Sequence, residues 1–471
     1  STQQETLFPY TTLFRSHSQA IRFMLENLPS GLRRHIRRLS SSSLHQLILR
    51  AASGTLLVKV AGAGLAFVLQ ITLTRFLGSQ QYGIYIYALT WAQLAALIGL
   101  FGFKTASVRF VSEYKGQQKW GYLQGFLTTS RRTVLALSTG LALLFGLGAV
   151  VVYTEKGVRN AFLVAALLPL AQSAMAVRVA ELRGLRHVVL GYSIEQIVRP
   201  VLVIAGVAAI GWAGISLLAH QALLVYVLGT ALAVGAAIYA GRHILPQEIW
   251  RADPTYERRL WLRAARDMVL IAGFNLILFR ADTLMVGALI GTEEAGLYAI
   301  ASRVAGLLSF VIVAVNSNLG PLFADLYARD EQEDLRSTVT FGARLVIMGS
   351  LGLSLMLYLF TDEILALFGP AYVQSASLMQ ILILGQLANA AAGPVMLLLN
   401  MTGHESTSAW IQGSCAALNI GLNALLVAWI GVEGAAIATA ITMIIWNGAA
   451  LLAVRHLLNI DATLIGWHVR S

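Results

Sequence analysis

The sequence predicts an all-α, polytopic membrane protein with about 12 transmembrane helices in two six-helix lobes. Three observations carry that prediction. The chain has 471 residues, of which 57% are hydrophobic and only 12% charged. So few charges cannot cover the apolar surface of a soluble protein of this size. The apolar runs are about 20 residues long and do not alternate, whereas membrane strands alternate over about 10. Lastly, a motif recurs. Residues 77–85, LGSQQYGIY, resemble residues 290–298, IGTEEAGLY, 213 positions later. A weaker echo pairs IGWAG at 210–214 with IGVEG at 430–434. Each half therefore repeats one plan. An even number of spans per half gives a parallel repeat about an axis along the membrane normal.

In chain order, residues 1–46 form a basic N-terminal segment. Its first part, STQQETLFPYTTLFRS, fits nothing that follows and is read as an artefact over 1–16. Arg33, Arg34, Arg37 and Arg38 then suit a segment lying on an anionic leaflet. The N-lobe, 47–240, carries apolar runs at 53–74, 83–102, 133–153, 160–177, 188–210 and 215–240. A linker at 241–266 follows, where Trp250, Leu260 and Trp261 alternate with arginines as an interfacial helix or a solvated strap. The C-lobe, 267–457, carries runs at 267–290, 296–318, 340–360, 375–398, 407–429 and 434–455, and 458–471 is a tail.

Connections after even-numbered runs are basic. Lys104, Lys115 and Arg131, then Arg178 and Arg183, then Arg242, Arg251 and Arg258 mark three of them. The positive-inside rule assigns these connections and both termini to the cytoplasm. The net charge of +11 thus sets topology, and no soluble domain remains to offer nucleic acid a surface. The lone Cys415 makes no disulfide and no zinc cluster.

Charge at membrane depth costs at least ~2.5–3.5 kcal/mol per group, so each such residue needs a reason. Arg199 and Arg280 lie ~16–20 Å from the inner surface, too deep to snorkel. Arg303 lies ~10 Å from the outer end of its run. Lys59 and Arg344 are shallower, at ~6–9 Å, where snorkelling competes with a lumen role. Glu195 stands four residues before Arg199, on one helix face, as an ion pair or a coupling site. Asp282 and Arg303 fall at matched depth on adjacent antiparallel runs, which predicts an ion pair between them. H+ or Na+ is the coupling ion expected of such carboxylates. His220, Gln386, Asn389, Asn400, Asn419 and Asn423 offer polar lining or interhelical hydrogen bonds. The sequence holds no GxxxxGK[ST], no HExxH and no long outer loop with paired carboxylates. No enzyme, cofactor or metal centre is expected.

Three stretches carry a family resemblance. They are the repeat hairpin of the second half, FLGSQQYGIYIYALTWAQLAALIGLFGFKTASVRFVSEY, and DEILALFGPAYVQSASLMQILILGQ (362–386). They resemble the Wzx-type polysaccharide-biosynthesis flippases. These oligosaccharide-lipid flippases are relatives of the MATE exporters in the multidrug/oligosaccharidyl-lipid/polysaccharide exporter superfamily. The resemblance spans about 47–457. It implies a MATE-like fold and movement of an undecaprenyl-pyrophosphate-linked oligosaccharide to the periplasmic leaflet by alternating access. It also implies work alongside a polysaccharide polymerase and glycosyltransferases. Arg199, Arg280, Arg303, Lys59 and Arg344 would then be lumen cations for the pyrophosphate, arginine matching phosphate geometry. Three readings compete: an ion-coupled exporter of small amphipathic cations, a lipid II flippase, and, in a different class, a membrane polysaccharide polymerase. A cation exporter would be expected to carry uncompensated carboxylates instead.

Overall fold

A computed structural model of the protein describes residues 43–246 and 248–460. The expectations for 1–16, for the arginine cluster at 33–38 and for most of the tail lie outside the described residues. All regular structure among the described residues is helical. In a bilayer each backbone N–H and C=O must be satisfied within the segment, and these apolar runs do so as helices.

The first two runs both lie on α1, Ser43–Leu100, which breaks at Gly78 (φ 71°, ψ 175°). A residue with a side chain is strained in that conformation, so glycine ends one span and starts the next. After it come α2 (Phe103–Gly116), α3 (Trp120–Val152), α4 (Lys156–Ala165) and α5 (Leu168–Gly184). The fifth run is built from α6 (Val188–Ser193), a π-helical turn (Ile194–Val198) and α7 (Arg199–Trp212). The sixth is α8 (Ala219–Ile244), and the short α9 (Glu248–Arg251) follows it. The second half comprises α10 (Arg258–Leu289), α11 (Thr292–Ala305), α12 (Leu308–Ala328) and α13 (Gln332–Leu359). It continues through α14 (Thr361–Phe368), a 3-10 turn (Pro370–Ser375), α15 (Ala376–Ala391), α16 (Val395–Met401), α17 (Glu405–Ile430) and α18 (Val432–Leu458). Ten helices among the described residues are long and apolar enough to cross a membrane. The first of them holds the first two apolar runs, and the seventh run lies on α10. The chain is a multi-pass membrane protein.

The apolar side chains point outward as well as inward. On α3, Leu143, Leu144, Leu147 and Val151 are exposed. A soluble fold would not tolerate so continuous an apolar surface, and a lipid solvent does.

The repeated motif sits where the halves meet. α1 packs against α11, and a Cβ on Gly83 would run into the Thr292 carbonyl. A Cβ on Gly296 would lie 2.8 Å from the Gly83 Cα. Ser79 Oγ donates to Glu293 Oε1 at 2.5 Å across the same contact. Matching glycines thus allow two helices to cross backbone to backbone. The weaker echo is not equivalent in structure. Gly214 carries the positive φ in the first copy, and Gly431 carries it in the second. One connection is consequently a six-residue loop between Trp212 and Ala219, the other a single-residue break.

The end of the 241–266 segment is neither an interfacial helix nor a solvated strap. Trp261 is fully buried, packed edge-on to Phe126 at 5.4 Å between ring centroids. Its Nε1–H donates to Tyr114 Oη at 2.9 Å, and the Thr255 N–H donates to the Gly121 carbonyl at 3.0 Å. Trp250 remains exposed.

Candidate functional site

Between the halves lies a cavity of ≈ 220 Å³. Gln70 and Ile86 of α1 form one wall. Arg280 and Thr283 of α10, with Ala299, Ser302 and Arg303 of α11, form the other. The arginines come together because α10 and α11 are adjacent antiparallel helices joined at Gly291. Among the described residues neither arginine has a salt bridge or a side-chain hydrogen bond. They are near enough for their charges to repel. Tyr82 and Tyr226 also approach Arg280. The Tyr82 hydroxyl is buried and has no hydrogen-bond partner. Two arginines and no carboxylate in one lining give the void a positive potential that favours an anion over a cation.

The other expected cations stand outside this lining. Arg199 lies over the Tyr226 ring, 5.5 Å from its centroid, and is not part of the cavity lining. Lys59 and Arg183 take the Tyr192 ring at 5.3 and 4.5 Å. Arg344 is exposed on α13.

Two expected ion pairs do not form. Glu195 bonds Lys104 at 3.4 Å instead of Arg199. The reason is the π-helical turn over Ile194–Val198. Hydrogen bonds that run to the fifth residue widen the turn and shift the helical register by about one residue, and across that shift Arg199 lies over Tyr226 while Glu195 reaches Lys104. Pro200 has no N–H to give to the Gln196 carbonyl, and the ladder re-forms around that gap.

Asp282 does not pair with Arg303. Matched depth put the two residues at one level, but their side chains leave α10 and α11 in different directions. Asp282 turns away from the cavity into the second half, where it is 6% exposed. Its Oδ1 accepts from Asn423 Nδ2 at 2.7 Å, and its Oδ2 from Tyr298 Oη at 2.9 Å and Thr439 Oγ1 at 2.7 Å. Tyr298 Oη and Thr439 Oγ1 are themselves 3.1 Å apart. Four helices, α10, α11, α17 and α18, therefore converge on one carboxylate held by neutral groups. The side-chain oxygens of Asn419 and Asn423 in this cluster have no hydrogen-bond partner. Asn389, Gln386 and Asn447 form a separate interhelical chain, with Asn447 Nδ2 donating to Asn389 Oδ1 at 3.0 Å.

Sequence reasoning missed Tyr82, Gln70, Tyr298 and Thr439. The available signal was Tyr82, where the second copy of the repeat has Ala295. Among the described residues no group of three His, Cys, Asp or Glu side chains gathers as a metal would require.

Comparison with known proteins fits this architecture. Among solved structures, an inward-facing multidrug resistance MATE family transporter of the MOP superfamily superposes with a TM-score of 0.69. It is 13% identical and covers 84% of this chain and 94% of its own. The lipid II flippase MurJ, inward closed, superposes at 0.67 with 13% identity, covering 85% of this chain and 87% of its own. These show a shared MATE-like fold. Two curated relatives come from Haloferax volcanii. The probable flippase AglR is 29% identical over 190 residues, 39% of this chain and 38% of the relative. The probable low-salt glycan biosynthesis flippase Agl15 is 27% identical over 169 residues, 34% of each. The chain thus aligns with well under half the length of either. The MatE family model matches residues 268–425. The polysaccharide biosynthesis protein model matches residues 48–327, more than half of the sequence, and the chain belongs to that family.

Proposed function

We propose that the protein is a flippase for a lipid-linked oligosaccharide, carrying it from the cytoplasmic to the periplasmic leaflet of a bacterial inner membrane by alternating access. One observation carries this reading: Arg280 and Arg303 line a single cavity between the halves with no carboxylate to neutralise them. An undecaprenyl pyrophosphate brings the complementary charge, and two guanidinium forks match its oxygens. The names of the two Haloferax relatives, both flippases and one of glycan biosynthesis, point the same way. At ≈ 220 Å³ the cavity suits the pyrophosphate and not the sugars, so the halves must part to admit them. An exporter of small cations is disfavoured because the charge in this lining is positive. Lipid II would meet the same arginines, and its separate test is substrate competition. A polymerase or glycosyltransferases would supply and consume the cargo as partners.

Asp282 is the proposed coupling site for H+ or Na+. Its surroundings are neutral oxygens and one amide donor, and two amide oxygens beside it are unsatisfied. A cation there would neutralise a buried carboxylate that has no countercharge. Glu195 is the weaker candidate, because Lys104 already neutralises it.

The test is flipping of a fluorescent undecaprenyl-pyrophosphate oligosaccharide in proteoliposomes. Arg280→Ala and Arg303→Ala should each lower the rate at least about tenfold with folded protein retained, as expected for a lost charged hydrogen bond. Lysine at either position should restore only part of it. Wild-type rates in both alanine variants would sink the assignment.

A further inference from the structure

A second arginine cluster lies away from the cavity between the halves, at the basic end of the first half. Arg131 on α3 forms a two-point contact with Glu181 on α5, Nε to Oε1 at 2.8 Å and Nη2 to Oε2 at 2.7 Å. Arg178, one turn earlier on α5, reaches the same Oε2 at 3.4 Å. Arg242 at the end of α8 completes the group. Glu181 is 5% exposed at its side chain, while Arg131 and Arg178 are 25% and 26% exposed. One buried carboxylate, already satisfied by Arg131, thus serves two guanidinium groups, and a third, Arg242, lies near Arg178 on the same void.

Two voids open from this cluster and share Arg131 and Arg178. One, of ≈ 140 Å³, runs past Leu185 and Arg242 to the exposed Trp250. The other, of ≈ 150 Å³, runs between α3 and α5 along Leu135, Ser138, Leu170 and Ala174. From Arg131 to Ser138 it descends ~10 Å toward the middle of the bilayer. The site thus presents cations and a tryptophan at the level of the headgroups and an apolar groove below them. α15, the helix in the matching position of the second half, has no charged residue, so the repeat plan does not require the cluster.

We propose that these two adjoining voids together bind one anionic phospholipid of the cytoplasmic leaflet. Its phosphodiester would sit on Arg178 and Arg242, and one acyl chain would lie in the groove between α3 and α5. Charge complementarity selects this occupant. A zwitterionic lipid offers no net charge to the surplus guanidinium groups, and a soluble anion leaves the groove unfilled. Glu181 keeps Arg131 in place as the wall between headgroup and chain. The site stands apart from the proposed transport cavity and does not depend on it.

Native mass spectrometry of the purified protein, titrated with palmitoyl-oleoyl phosphatidylglycerol or phosphatidylcholine, tests the proposal. Wild type should retain one phosphatidylglycerol about tenfold more tightly than phosphatidylcholine. The Arg178→Gln/Arg242→Gln pair leaves Glu181 matched to Arg131 and should abolish that preference. Ala174→Phe fills the groove and should weaken both lipids. Arg259→Gln, an exposed cation elsewhere, should change nothing. If the double variant does not fold, Arg242→Gln alone, an exposed site, gives the same reading at smaller amplitude. Equal retention of the two lipids by wild type, an unchanged preference in the arginine variants, or equal loss with Arg259→Gln would each overturn it. So would tight retention of inorganic phosphate at the lipid's concentration.

Discussion

Asp282 and Glu195 are both carboxylates at membrane depth, yet their neighbours differ in kind. Asp282 accepts three hydrogen bonds from neutral groups, and Glu195 has one half-exposed lysine. Asp282→Ala would remove the acceptor shared by Asn423, Tyr298 and Thr439, leaving them only the Asn419 carbonyl and one another, at ~1–3 kcal/mol, so the yield of folded protein should fall. Asp282→Asn retains a similar shape and should leave folding close to wild type, while flipping in proteoliposomes loses its response to an imposed H+ or Na+ gradient. Retained gradient dependence in that variant would remove Asp282 as the coupling site. For Glu195→Gln the expected change is small, ~1 kcal/mol or less by chemical denaturation, because an exposed lysine is a weak partner.

Helix registers decide which of these neighbours meet. The π-helical turn at Ile194–Val198 turned Glu195 away from Arg199, a displacement of one residue in a ladder that four-residue spacing assumes. The Gly83–Gly296 crossing works in the opposite sense, since two close backbones leave room for no side chain. Gly83→Val places a branched side chain against the Thr292 carbonyl. Overpacking of this kind costs ~1–3 kcal/mol, and more where the obstacle is backbone. Gly83→Val and Gly296→Val should therefore each reduce folded protein, seen as a lower melting temperature in detergent. Gly64→Val on α1, where no atom stands within 4 Å of the added Cβ, is the control and should be near wild type. Equal melting of all three would show that the crossing is not close-packed.

At the scale of the molecule, the charge pattern predicts topology. Single cysteines in a Cys415→Ser background should react with an impermeant maleimide according to side. Glu155, Trp212 and Asp362 are exposed after odd-numbered runs and should label from the periplasm. Gln117 and Arg259 should label only after lysis. The reverse pattern would invert the orientation and move the phospholipid site to the outer leaflet. The 241–266 segment adds a constraint of its own. Trp261 is buried among Phe126 and Tyr114, so the chain crossing from one half to the other is packed rather than free. In the proposed alternating-access cycle, the halves would have to move with that contact kept or broken as a unit.

Composition and apolar run length were sufficient for the all-helical membrane fold, because a bilayer allows few ways to satisfy a backbone. The glycine motif in two copies was sufficient for the repeat, because close helix crossings demand small residues. Depth along a span can be read from position within an apolar run, and it singles out Arg280, Asp282 and Arg303 as residues needing an explanation. Azimuth was not legible. Whether Asp282 faces Arg303 or Tyr298, and whether Glu195 faces Arg199 or Lys104, depends on helix rotation and on a π-helical turn. Those are settled by the packing of helices far apart in sequence, such as α10 against α17 and α18. The partners Asn423 and Thr439 lie 141 and 157 residues from Asp282. No local periodicity reaches that far, and only the tertiary fold brings them to one carboxylate.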